Sequence, residues 1–159
     1  MTGSAEGILD LPASPRSVPV ARRLARRTAG AAGLPEDKSD VLQLLVSELV
    51  TNAVVHARTE IRLHVMVTAE QIRIEVCDQA GLQPRLRTHS VSATTGRGLR
   101  MLKVLASSWG VDELEGGGKM VWATLPVDGL PSDQTLAERY DDLAGLLGGL
   151  GPREEGRSA

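Results

Sequence analysis

Polar and apolar positions along the chain change period several times, and each change marks an element. From Val18 to Ala32, Val20, Ala21, Leu24, Ala25 and Thr28 fall on one side of a helical projection, and Arg22, Arg23, Arg26 and Arg27 on the other. That is a surface helix, with Ser17 as its N-cap and Gly33 as its stop. Pro35, Glu36 and Asp37 open a second helix running to about Ala57. Leu42, Leu45, Val46, Leu49, Ala53 and Val54 recur in it at core spacing. From Glu60 the period drops to two. Ile61, Leu63, Val65 and Val67 alternate with polar partners, and after a turn Ile72, Ile74 and Val76 do the same. Two such runs predict an antiparallel hairpin with one packed and one wetter face, which holds His64.

Residues 79–95 have no period. A loop of that length inside a compact domain points to function or mobility. Leu99, Leu102, Val104 and Leu105 predict a third helix to about Ser108, and 111–115 with 119–125 a second hairpin about Gly116, Gly117 and Gly118. Before the first helix, Ile8, Leu9 and Leu11 suggest a short edge strand ended by Pro12. After Pro126 the character changes. Ser132 opens a short helix with Leu136, Tyr140, Leu143 and Leu147 on one side, and 148–159 reads as disordered. Segregated helices and antiparallel strands make an α+β two-layer sandwich.

Composition narrows the function classes. The chain has 159 residues, a formal net charge of −2 and only three aromatic residues, Trp109, Trp122 and Tyr140. It lacks both the basic excess of a nucleic-acid binder and the platform for base stacking. Cys77 is the single cysteine, so no intrachain disulfide forms, which suits a reducing compartment. There is no basic and then apolar leader at the start and no run near the ~20 apolar residues of a membrane span. A cytoplasmic protein is the expectation.

Three signals carry candidate chemistry. Glu48 and Asn52 interrupt the most apolar helix at i, i+4, so they project from one side. A carboxylate there can orient or deprotonate a hydroxyl, and an amide oxygen suits magnesium. A hydrogen-bonded polar face explains the same spacing. Asp78 ends a strand, where a carboxylate can accept a hydrogen bond from an exocyclic amine, although Asp before Gly81 also fits an ordinary turn. Gly96, Arg97 and Gly98 precede a helix, where free N–H groups and the helix dipole favour phosphate. A flexible linker reads the same way. His56, His64, His89 and Cys77 show no zinc-site spacing; His56, one turn after Asn52, reads either as a helix-end histidine or as one that approaches a phosphate, and Cys77 as a small buried side chain. The arginine row is a solvated face or a surface for an acidic partner.

Taken together, the segment Ser47-Glu48-Leu49-Val50-Thr51-Asn52-Ala53 with His56 resembles the N-box of bacterial anti-sigma-factor serine kinases of the GHKL superfamily. Val76-Cys77-Asp78 resembles the adenine box and Thr95-Gly96-Arg97-Gly98-Leu99 the ATP-lid glycines. Trp109-Gly110, Gly118-Lys119 and Val121-Trp122 resemble the closing hairpin. The order matches over roughly residues 12–126. Two departures stand out: Ala80 occupies the usual glycine position, with Gly81 one later, and Met120 stands where the family often has Thr.

The resemblance implies a histidine-kinase-like (Bergerat) ATPase fold, with a mixed, mostly antiparallel sheet and helices on one face. It implies a domain over 1–126 and a tail over 127–159. It gives Glu48 the role of base or water orienter, Asn52 that of magnesium ligand, and Asp78 that of adenine acceptor. The Gly96 and Gly98 backbone would close over the phosphates with Arg97 as a charge stabiliser, and Gly81 and Leu99 would join the nucleotide-binding residues. The implied cofactors are ATP and Mg. The implied partners are a sigma factor or a STAS-type antagonist, which the chain would phosphorylate on Ser or Thr, and a second copy in a homodimer. A non-catalytic protein-sequestering module of the same fold is the alternative. A two-component histidine kinase is disfavoured because the sequence contains no long dimerisation helix with an acceptor histidine.

Overall fold

The computed structural model describes residues 3–79 and 97–131. The expectations placed on Ala80, Gly81, His89 and Gly96, and on the tail helix from Ser132, lie outside the described residues. The element order is β1 (Ala5–Leu11), α1 (Ser17–Ala31), α2 (Glu36–Ala57), β2 (Ile61–Val67), β3 (Gln71–Asp78), α3 (Arg97–Leu105), β4 (Ser108–Glu113) and β5 (Lys119–Pro126). The strands form one sheet in the order β1-β2-β3-β5-β4, with every neighbouring pair antiparallel. The α+β two-layer architecture is as the sequence predicts.

Each helix takes its limits from local chemistry. Ser17 is not the N-cap of α1: it is the first helical residue, and its buried hydroxyl donates to Pro12 O at 2.6 Å. The α1 terminus is a Schellman motif. Gly33 adopts φ 73°, and the Leu34 and Gly33 N–H groups bond to the carbonyls of Ala29 and Gly30 at 2.9 and 3.1 Å. Pro35, with φ −53° and ψ 147°, enters α2, and Glu36 and Asp37 sit at the positive end of its dipole. Arg58, with φ 53°, turns the chain out of α2.

Between the layers lies an aliphatic core. Ala21, Ala25 and Ala29 of α1 are buried, as are Val41, Leu42, Leu45, Val46, Leu49 and Val50 of α2. Val54, expected among them, is half-buried. Ile61, Leu63, Val65 and Val67 of β2 and Ile72, Ile74 and Val76 of β3 meet them from the sheet. Val127 and Leu130, beyond β5, are buried in the same cluster. Ile74→Val, which removes one methylene from this core, should lower stability by about 1 kcal/mol in urea unfolding.

The other sheet face carries no described helix and mixes polar with apolar side chains. Cross-strand register aligns Ile8, His64, Glu75, Trp122 and Gly110 in one row, with Asp10, Arg62, Cys77, Met120 and Asp112 in the next. Arg62 donates to Asp10 at 2.7 Å, and this hydrogen bond holds the Asp10 carboxyl below its usual range. The pair is solvent-exposed, so its contribution is small. Arg73 lies 4.8 Å over the Trp122 ring and bonds Glu75 at 2.7 Å.

Several boundaries differ from the sequence reading. β1 starts at Ala5, although Glu6, Gly7 and Asp10 are poor strand formers, because pairing with β2 supplies what propensity does not. α3 begins at Arg97, so Arg97 and Gly98 are helical and not loop residues. It ends at Leu105 because the Ser107 N–H bonds to Thr124 O at 2.9 Å, which starts β4 three residues early, at Ser108.

Candidate functional site

α2 presents Glu48 and Asn52 from one side, both half-buried, next to the fully packed Leu45, Leu49 and Ala53. A helix this apolar tolerates two such side chains only at the margin of its contact with the sheet, where water or a ligand reaches them. Three polar neighbours are tied down locally. Thr51 Oγ1 donates to Ser47 O at 2.7 Å, Ser47 Oγ donates to Gln43 O at 2.7 Å, and Arg22 Nε of α1 donates to Ser47 Oγ at 3.0 Å.

Asp78 is set by strand parity. Ile72, Ile74 and Val76 point to the helices, and Asp78 follows at the same period and is 3% exposed. Its carboxylate therefore continues the inward row at the strand end. The chain leaves α2 at Ala57, enters β2 at Ile61, and returns antiparallel so that Cys77 faces Arg62. Asp78 thus stands at the end of the layer where α2 terminates, and α2 packs on both β2 and β3. Asn52 lies in the last two turns of α2, with Glu48 one turn further back.

Two contacts fix the backbone at Asp78. The Gln79 N–H donates to Thr59 Oγ1 at 3.0 Å, tying the strand end to the α2–β2 connection. On the other side Gly118, with φ +97°, lies so close that a Cβ there would run into the Asp78 carbonyl oxygen. Only glycine combines that dihedral with that approach. Leu114 N–H to Gly118 O at 3.0 Å closes the same turn. α3 packs on α2 and starts its first turn at Arg97, Gly98 and Leu99.

The structure thus brings the second half of α2 and the end of β3 to one end of the layer, and packs α3 on α2. Gly81 and Gly96 lie outside the described residues. Met120 does not take the inward place beside the Asp78 strand end. It pairs with Cys77 on the outer face, and Val121, paired with Val76, points inward. Cys77 is half-buried on that outer face, and burial, followed by the nearby Glu75, pushes its thiol up, away from nucleophilic reactivity. His56 is exposed in the last turn of α2, and His64 sits between Glu6 and Glu75 at 3.1 and 3.5 Å. A cavity of about 340 Å³, lined by Arg26, Gly30, Leu34, Glu36, Asp40 and Gln43, lies at the opposite end of α2.

Sequence reasoning missed the roles of Gly118 and Ser47. The glycine run and the closing-hairpin resemblance marked Gly118 as a hairpin residue without its contact to Asp78, and a serine inside an apolar helix gave a faint signal for the second.

Residues 11–125 match the family model described as a histidine kinase-like ATPase domain. Among solved structures, the chain is similar to the RsbU and RsbW domains of Rv1364c from Mycobacterium tuberculosis, with 20% identity and a TM-score of 0.56. The match covers 76% of this chain and 31% of that one, so the chain spans about a third of it. At that identity the likeness speaks for the fold. No curated protein matches the chain.

Proposed function

The chain belongs to the histidine kinase-like ATPase domain family, and from that membership we propose that it binds ATP with magnesium and acts as a serine/threonine protein kinase in anti-sigma regulation. Its acceptor would be a small STAS-type antagonist, and a sigma factor the partner it sequesters, in the cytoplasm. The observation that carries the reading is Asp78, a carboxylate turned inward at a strand end, at the end of the layer where Asn52 and Glu48 line the margin of α2.

The donor set fits the group. Asp78 can accept a hydrogen bond from the adenine amine, which is an acceptor-only task for an ionised carboxylate. The amide oxygen of Asn52 is a hard ligand of the kind magnesium takes. Bound there, the metal supplies charge neutralisation for the phosphates. Glu48, one helical turn away, would orient the acceptor hydroxyl and take its proton. The first turn of α3 adds N–H groups and the positive end of a dipole, which favour phosphate. Phosphoryl transfer is mostly positioning and electrostatics, so this short list suffices.

Calorimetric titration with ATP and magnesium tests the reading. Wild type should bind, and Asp78→Asn should weaken binding by roughly 10- to 100-fold, the worth of one charge-assisted hydrogen bond. Asn52→Ala should remove the dependence on magnesium. A wild-type protein that takes up no ATP ends the proposal. Tight binding with no transfer to any protein would leave a sequestering module.

A further inference from the structure

We infer that Arg22 is a positioning residue for Glu48, acting through Ser47. The inference rests on the phosphotransfer reading above and deepens it. Four arginines line the outer side of α1, and all four are exposed. Arg23, Arg26 and Arg27 make no hydrogen bond or ion pair among the described residues. Arg22 differs: its Nε–H reaches across to α2 and donates to Ser47 Oγ at 3.0 Å.

Ser47 is 6% exposed, and its one proton goes to Gln43 O at 2.7 Å. Its oxygen is therefore left as a buried acceptor, which costs free energy unless a donor meets it. Arg22 is that donor, and its remaining N–H groups stay in water. The next residue is Glu48, so the bond ties α1 to the α2 turn that carries the proposed base.

The packing around it gives the bond its importance. α1 packs on α2, and the α1 residues Ala21 and Ala25 are fully buried. Small side chains allow close approach but offer little interdigitation of ridges and grooves, so they resist sliding and rotation weakly. A directional bond at one point sets the axial and rotational register that the alanines leave soft. Glu48 inherits that register, whereas Asp78, held by Thr59 and Gly118, does not depend on it.

The test is a double-mutant cycle in the full chain, with Arg22→Ala, Ser47→Ala, the pair, and Arg16→Ala as an exposed arginine at the entry to α1. Three quantities are read: kcat at saturating ATP and acceptor, Kd for ATP, and amide exchange over residues 46–50. Each single change should lower kcat about 10-fold, within what a sub-ångström misplacement of a reacting group produces. The pair should lower it no further, because both remove one bond. Kd for ATP should stay within about twofold, exchange over 46–50 should quicken equally in both singles, and Arg16→Ala should match wild type. Additive effects would overturn the inference, and so would unchanged kcat, or a loss confined to KM for the acceptor protein, which would make Arg22 a docking contact. A wild type that transfers no phosphate fails differently: it removes the kinase reading, and this inference with it, before any variant is compared.

Discussion

Glu48→Ala is expected to slow phosphoryl transfer by about 10²- to 10⁴-fold, the usual worth of a positioned general base, while ATP affinity stays within about twofold. The two quantities separate because Glu48 and Asp78 stand on different elements. Asp78 ends β3 and its backbone is held by Thr59 and Gly118, whereas Glu48 is carried by α2. Truncation should also be mild for the fold. Glu48 is half-buried at the margin of the core, beside Leu45 and Leu49, so its removal opens no enclosed cavity. Rapid-quench transfer from labelled ATP to the acceptor gives the rate, and calorimetry gives the affinity. Glu48→Gln sharpens the result: it keeps the size and an acceptor oxygen but not the basicity. A base should lose as much in Gln as in Ala, whereas a purely orienting group should recover in Gln. Full transfer in Glu48→Ala would remove it from the chemistry.

What the sequence discloses here is whatever depends on one element at a time. The alternation in β2 and β3 identifies Ile61 to Val67 and Ile72 to Val76 as the inward rows, and carrying that parity one step places Asp78 inward as well. Glu48 and Asn52 stand out because they interrupt the most apolar helix at i, i+4, a spacing that a hydrogen-bonded polar face would also give. What stays hidden is pairwise. Nothing local says that Arg22, and not Arg23 or Arg26, will find a partner, because Ser47 is 25 residues away and only the α1–α2 packing brings them together. The face on which Met120 lies is hidden for a related reason. It follows from the register of β5 against β3, Cys77 opposite Met120, and a shift of one residue would reverse the face. The start of β4 was obscured because Ser108, Trp109 and Gly110 do not alternate, and their strand conformation comes from pairing with Thr124, Ala123 and Trp122.

Gly118→Ala should cost about 3 kcal/mol of stability, from strain at positive φ and from overpacking against a backbone, and should bring ATP binding down with it. The β4–β5 turn holds three glycines at positive φ, namely Gly116 at 84°, Gly117 at 95° and Gly118 at 97°, so conformation alone would treat them alike. Their surroundings separate them. A Cβ at Gly116 meets nothing within 4 Å, whereas at Gly118 it meets the Asp78 carbonyl and lies 3.0 Å from Gln79 Cα. Neither neighbour can step aside as a flexible side chain would, because the Gln79 N–H is fixed to Thr59 and β3 is paired on both sides. The strand end carrying Asp78 must tilt, and the carboxylate tilts with it. Gly116→Ala is the matched control: it should lose only the dihedral strain, about 1 kcal/mol, and keep its affinity for ATP. Thermal unfolding and calorimetry on the two variants side by side isolate the contact. Equal stability and equal affinity in both would mean that the turn does not hold Asp78 in place, and that the aspartate takes its position from β3 alone.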